Sequence, residues 1–104
     1  MKDRIVTFLS SWDELLDAYN KRNSQRVGEL MSKLMILYVP IGPYVRRQAH
    51  ITYYGTPERP IVNPNYDLIG NFLAGNSEFD FETSWRMGRQ ALLGCLGALG
   101  FKPD

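Results

Sequence analysis

Several kinds of chemistry are excluded by what this 104-residue chain has little of. It carries one cysteine and one histidine, so an intrachain disulfide and a cysteine-based zinc cluster are ruled out. A histidine-dependent triad would have to be built on His50 alone. No serine lies in a Gly-x-Ser-x-Gly turn, and no glycine run joins a strand to a helix in the order that cradles phosphate. Excess charge of either sign is also lacking: 12 Lys/Arg stand against 11 Asp/Glu, a net +1. That argues against a strongly electrostatic binder of nucleic acid or membranes. The longest nearly apolar run, Ala91 to Phe101, is about half the length of a spanning helix. The opening residues, MKDRIVTF, have no continuous apolar core and do not read as a secretory signal. A soluble, intracellular (cytoplasmic) protein without a cofactor or metal is the expectation.

What is present is helical patterning. Ile5, Val6, Phe8, Leu9, Trp12, Leu15, Leu16 and Tyr19 recur at steps of three and four, which predicts one amphipathic helix. Asp3 is its candidate cap. Ser11 and Glu14 have capping-box spacing, but the apolar face crosses them in phase, so a continuous helix is preferred. Asp17 and Lys21 stand at the favourable acid-then-base i,i+4 spacing. After the polar turn Asn20–Ser24, a second helix is predicted over Gln25–Tyr38, with Val27, Leu30, Met31, Leu34, Met35 and Tyr38 apolar and Glu29 paired with Lys33. Gly28 weakens such a helix by about 1 kcal/mol relative to alanine, which a close helix contact would offset. Pro40 and Pro43 end the element, and the short connection makes the two helices an antiparallel hairpin.

The segment 42–64, GPYVRRQAHITYYGTPERPIVNP, holds four of the six prolines. Two readings fit its first half: a short helix from Pro43 to about Ile51, or a strand over Ala49–Tyr54. The helix is preferred. Thr56–Asn63 reads as an extended loop, and Asn63-Pro64 as a helix start. Leu68, Ile69, Phe72 and Leu73 then share a face up to Gly75-Asn76. Asp80 and Thr83 open the last helix, whose Phe81, Trp85, Gly88, Leu92, Cys95, Leu96 and Leu99 repeat by fours and threes before Gly100 and Pro103. The fold expected is all-α: a small single-domain bundle of four to five helices over residues 1–104. It comprises a hairpin (1–39), an irregular proline-rich central connection (40–64) and C-terminal helices (65–104).

Two stretches are candidates for function. In the middle segment, arginines lie among aromatics. This pattern suits structural packing, a protein interface, or phosphate and base contacts, in that order, the low net charge deciding between the last two. The expected partner-binding residues are Arg46, Arg47, Tyr53, Tyr54 and Arg59. In the last helix, small residues recur at Gly88, Ala91, Gly94, Gly97 and Ala98 and permit close approach of another helix, from this chain or from a second copy. Gly88, Leu93, Gly94 and Gly97 are the candidate self-association residues. Glu78, Asp80 and Glu82 alternate in the manner of a calcium loop but lack its glycine and distal glutamate, so they read as acidic residues at a helix start. The functional expectation is a non-enzymatic protein-protein interaction or self-assembly module, a homo-oligomeric small structural or accessory subunit whose partner is another protein or its own copies. The alternative is a nucleic-acid-binding regulator using Arg46, Arg47, His50 and Arg59.

Overall fold

Two tryptophans 73 residues apart are locked to each other's backbone, and this pairing sets the arrangement of the helices. The computed structural model describes residues 1–53 and 67–101, with side chains from 49 to 53 outside the description. Among the described residues there are five helices and no strand: α1 (Lys2–Asn20), α2 (Ser24–Tyr38), α3 (Gly42–Tyr53), α4 (Leu68–Leu73) and α5 (Phe81–Ala98). The all-α bundle expected from the periodicity is therefore observed. The central segment contributes a helix, α3, rather than a strand over Ala49–Tyr54. The expected loop at Thr56–Asn63 and the helix start at Asn63-Pro64 lie outside the described residues. The helix that carries Leu68 and Phe72 is capped instead by Asp67, whose carboxylate accepts from the Gly70 amide at 3.0 Å.

α1 is continuous through Ser11, as the phase of its apolar face requires, and it buries Ile5, Phe8, Trp12, Leu15 and Ala18. Met1 occupies its N-cap position with no side-chain bond, so Asp3 lies in the first turn rather than at the cap. α2 runs beside it, burying Leu30, Leu34 and Tyr38. Asp17 and Lys21 pair at 3.0 Å as expected. Glu29 pairs instead with Arg26 at 3.3 Å, and Arg26 also reaches across to Glu14 of α1 at 2.8 Å. These pairs are exposed and contribute only tenths of a kcal/mol each, up to about 1. They tune the hairpin; burial holds it together.

Three helices end in the same way, with a residue in the left-handed region whose neighbours' amides close onto the last turn. At α5 this residue is Gly100 (φ +83°), with the Phe101 amide bonded to the Leu96 carbonyl at 2.9 Å. At α4 it is Gly75 (φ +80°), with Asn76 bonded to Asn71 at 2.8 Å. At α1 the position is filled by Arg22 (φ 55°), with Asn23 bonded to Ala18 at 3.0 Å. A side chain in this conformation costs about 1–2 kcal/mol relative to an ordinary one. Asn23 is also the N-cap of α2, its side chain accepting from the Arg26 amide at 3.2 Å.

The core is a run of aromatic rings along α1. Tyr38 meets Phe8 (5.6 Å between centroids), Phe8 stacks on Trp12 (5.7 Å), Trp12 meets the Phe72 edge (5.3 Å), and Phe72 meets Phe81 (5.2 Å). α5 closes on this run through Trp12 and Trp85. The Trp12 indole donates to the Trp85 carbonyl at 2.9 Å, and the Trp85 indole donates to the Trp12 carbonyl at 2.7 Å. One turn after Trp85, Gly88 leaves the space that the Trp12 ring fills: a Cβ there would stand 2.5 Å from Trp12 Cζ2. Asp13 and Arg89 bridge the same pair of helices at the surface at 2.9 Å. α3 lies against α5, with Ile41 and Val45 buried. α4 is tied to α2 by the Tyr38 hydroxyl, which donates to Asp67 at 2.6 Å.

Asp80 caps α5 as the sequence predicts, accepting from the Thr83 amide at 2.7 Å. Hydrogen bonding from Thr83, by its side chain and then its amide, holds the Asp80 carboxyl below its ordinary 3.8, with Arg86 adding to the effect. Because the folded value is the lower one, this stabilisation is present above pH 3.8 and is lost as pH falls through the folded value.

Gly28, by contrast, is exposed, and a Cβ added there would meet nothing within 4 Å, so no close contact offsets its cost to α2. The same substitution at the two glycines therefore has opposite signs. Gly28→Ala raises stability by about 1 kcal/mol, and Gly88→Ala lowers it by about 2 kcal/mol through overpacking against a ring that cannot turn aside. Urea unfolding with an unchanged m-value measures both. Arg22→Gly relieves the left-handed side chain and raises the urea midpoint, by up to about 1 kcal/mol in stability.

Candidate interaction surfaces

The two stretches singled out by sequence fare differently in space. Arg46 and Arg47 are consecutive on α3, so they project about 100° apart. Arg46 is half-buried and Arg47 exposed. The side chain of Tyr53, together with Tyr54 and Arg59, lies outside the described residues, as does the side chain of His50. On α5, Gly88 is buried against Trp12 and so serves contact within the chain rather than with a copy. Gly94 and Gly97 face solvent, and Leu93 is half-buried beside them. Ala91 and Cys95, which share the small-residue spacing, are buried in the core.

A surface that sequence periodicity did not single out lies at the far end of the α1–α2 hairpin. Met35, expected inside, is 50% exposed, and Ile36 and Val39 are 74% and 76% exposed. Residues 35, 36 and 39 share one face, because Val39 continues the helical backbone past α2. Beside them is a shallow groove of about 270 Å³ lined by Asp3, Arg4, Thr7, Ile36, Leu37 and Pro40. The signal was available in the phase: Ile36 and Val39 fall off the stripe defined by Leu30, Leu34 and Tyr38. Large apolar side chains that cluster on a surface mark contact sites more often than isolated ones do.

A second, larger cleft of about 630 Å³ lies at the turn end of the hairpin, lined by Tyr19, Asn20, Arg22, Ser24, Val27 and Phe81. Its aromatic side is formed by Tyr19 and Phe81, stacked at 3.8 Å with their planes 8° apart.

Cys95 is fully buried, and burial pushes its thiol up to about 11, so the reactive thiolate is nearly absent at neutral pH. Among the described residues, no group of three or more His, Cys, Asp or Glu side chains is placed to hold a metal. No helix among them is long and apolar enough to cross a membrane. Cys95 is expected to resist a disulfide reagent at about pH 8 in the folded protein and to react stoichiometrically once urea unfolds it. Rapid labelling under native conditions would show that α5 opens.

No family model, curated protein or solved structure matches the chain.

Proposed function

We propose that the protein is a non-enzymatic interaction module that associates with copies of itself, burying the open end of the α1–α2 hairpin. The observation that carries this reading is the exposure of Met35, Ile36 and Val39 on one face. Removing such side chains from water is favourable by roughly 25 cal/mol per Å², and the fold leaves them uncovered while its other large apolar groups are mostly packed. The flanking charges favour a second copy as the partner. Asp3 and Arg4 both line the adjoining groove, and neither forms an ion pair among the described residues. Opposite charges side by side on one surface allow a two-fold pairing in which Asp3 of one copy meets Arg4 of the other, the self-complementarity that a two-fold interface needs. Half-buried Leu93 with exposed Gly94 and Gly97 on α5 is a further place for helix contact, from which Gly88 is excluded by its burial against Trp12.

Light scattering coupled to size exclusion tests the reading. The wild-type chain is expected to run above its 11.9 kDa monomer mass at micromolar concentration. Ile36→Lys with Val39→Lys is expected to return it to the monomer with unchanged helical circular dichroism. A wild-type monomer throughout that range would remove self-association as the function. Leu93→Lys separates the two faces, since it leaves the mass unchanged if the hairpin end is the interface.

A further inference from the structure

The cleft at the opposite end of the hairpin has a composition that self-association does not call for. Its described lining combines two aromatic rings, an aliphatic side chain, two neutral polar groups and one cation, Arg22, with no acidic side chain. Among the basic side chains around this end of the hairpin, Lys21 pairs with Asp17, Arg26 with Glu14 and Glu29, and Arg89 with Asp13, while Arg86 makes no direct pair among the described residues and attracts the Asp80 carboxyl at longer range. Arg22 makes no such pair among the described residues. The backbone does not account for it either. The equivalent turn positions after α4 and α5 are glycine, and a left-handed φ of 55° disfavours any side chain. An arginine held there at a cost in stability, lining a cleft and without an anionic partner, has its guanidinium available to a ligand.

We infer that this cleft binds an aryl anion: a planar ring bearing a carboxylate, sulfonate or phosphate. The guanidinium takes the anionic oxygens, in the two-pronged geometry that arginine offers. The ligand's ring lies along the stacked Tyr19–Phe81 pair, and the Val27 side chain adds apolar contact. The Asn20 amide and the Ser24 hydroxyl supply neutral donors at the rim. A volume of about 630 Å³ falls within the range of small-molecule sites. The site lies away from Met35, Ile36 and Val39, so it stands or falls independently of the self-association reading.

A fluorescence titration with 8-anilinonaphthalene-1-sulfonate, an aryl sulfonate, tests the inference, with the uncharged N-phenyl-1-naphthylamine as its neutral counterpart. The wild-type chain is expected to bind the sulfonate at one site. Arg22→Gly, which suits the left-handed turn and keeps the fold, is expected to weaken sulfonate binding about tenfold or more while leaving the neutral probe unchanged. Tyr19→Leu keeps the apolar cover but removes the ring, and is expected to weaken both probes. Ile36→Lys with Val39→Lys is expected to leave both titrations as they are. Equal sulfonate affinity in wild type and Arg22→Gly would overturn the inference, as would no saturable binding up to about 1 mM, where affinity is only some 4 kcal/mol. Loss on Arg22→Gly with none on Tyr19→Leu would overturn the aromatic half of the site.

Discussion

The reciprocal bond between Trp12 and Trp85 is the constraint on which the rest of the arrangement depends. Each indole satisfies its only polar hydrogen on the other residue's carbonyl, so neither ring can rotate without stranding a donor in a partly buried place. That fixes the separation of α1 and α5 to the reach of an indole. The separation in turn requires a residue without a side chain one turn further along α5, which is Gly88. The buried Trp12 ring then sits between Phe8 and Phe72, and through them the hairpin, α4 and the start of α5 share one aromatic run. A change at this crossing would be felt at both ends of the molecule.

Those two ends differ in chemistry because the core uses up the middle of α1 and α2. At the turn end, the aromatic run continues outward as the Tyr19–Phe81 stack and becomes the wall of a cleft. At the open end, α2 outlasts its core partners: Leu34 and Tyr38 are still covered, while Met35, Ile36 and Val39 look away from them. One surface is concave and mixed in polarity, the other shallow and apolar. This contrast underlies assigning a small ligand to the first and a second copy to the second.

Local signals read well from the sequence, and long-range ones did not. The phase of α1, α2 and α5, the Asp80 cap and the Asp17–Lys21 pair all depend on residues within one or two turns of each other. Gly28 and Gly88 look alike in sequence, both within helical stripes. They differ because an indole from α1 lies opposite one and solvent lies opposite the other. Asn63-Pro64 has the stronger local pattern for a helix start, yet Asp67 holds the cap of α4, where its carboxylate also receives the Tyr38 hydroxyl from α2. Arg22 offered no warning, because left-handed turns are ordinarily recognised by glycine or asparagine. Of the expected contact residues on the middle segment, only Arg46 and Arg47 have described side chains, and their placement on consecutive positions of a helix separates them.

Asn23 closes the last turn of α1 with its amide and opens α2 with its side chain, so the joint between the two helices contains no spare link. An insertion between Asn20 and Ser24 would part the two roles that Asn23 combines, and the longer joint would have to supply a separate stop for α1 and start for α2. Many surface turns tolerate extra residues readily; this one places the stop of one helix and the start of the next on a single residue, which makes the polar turn, despite its exposure, less adjustable than its composition suggests.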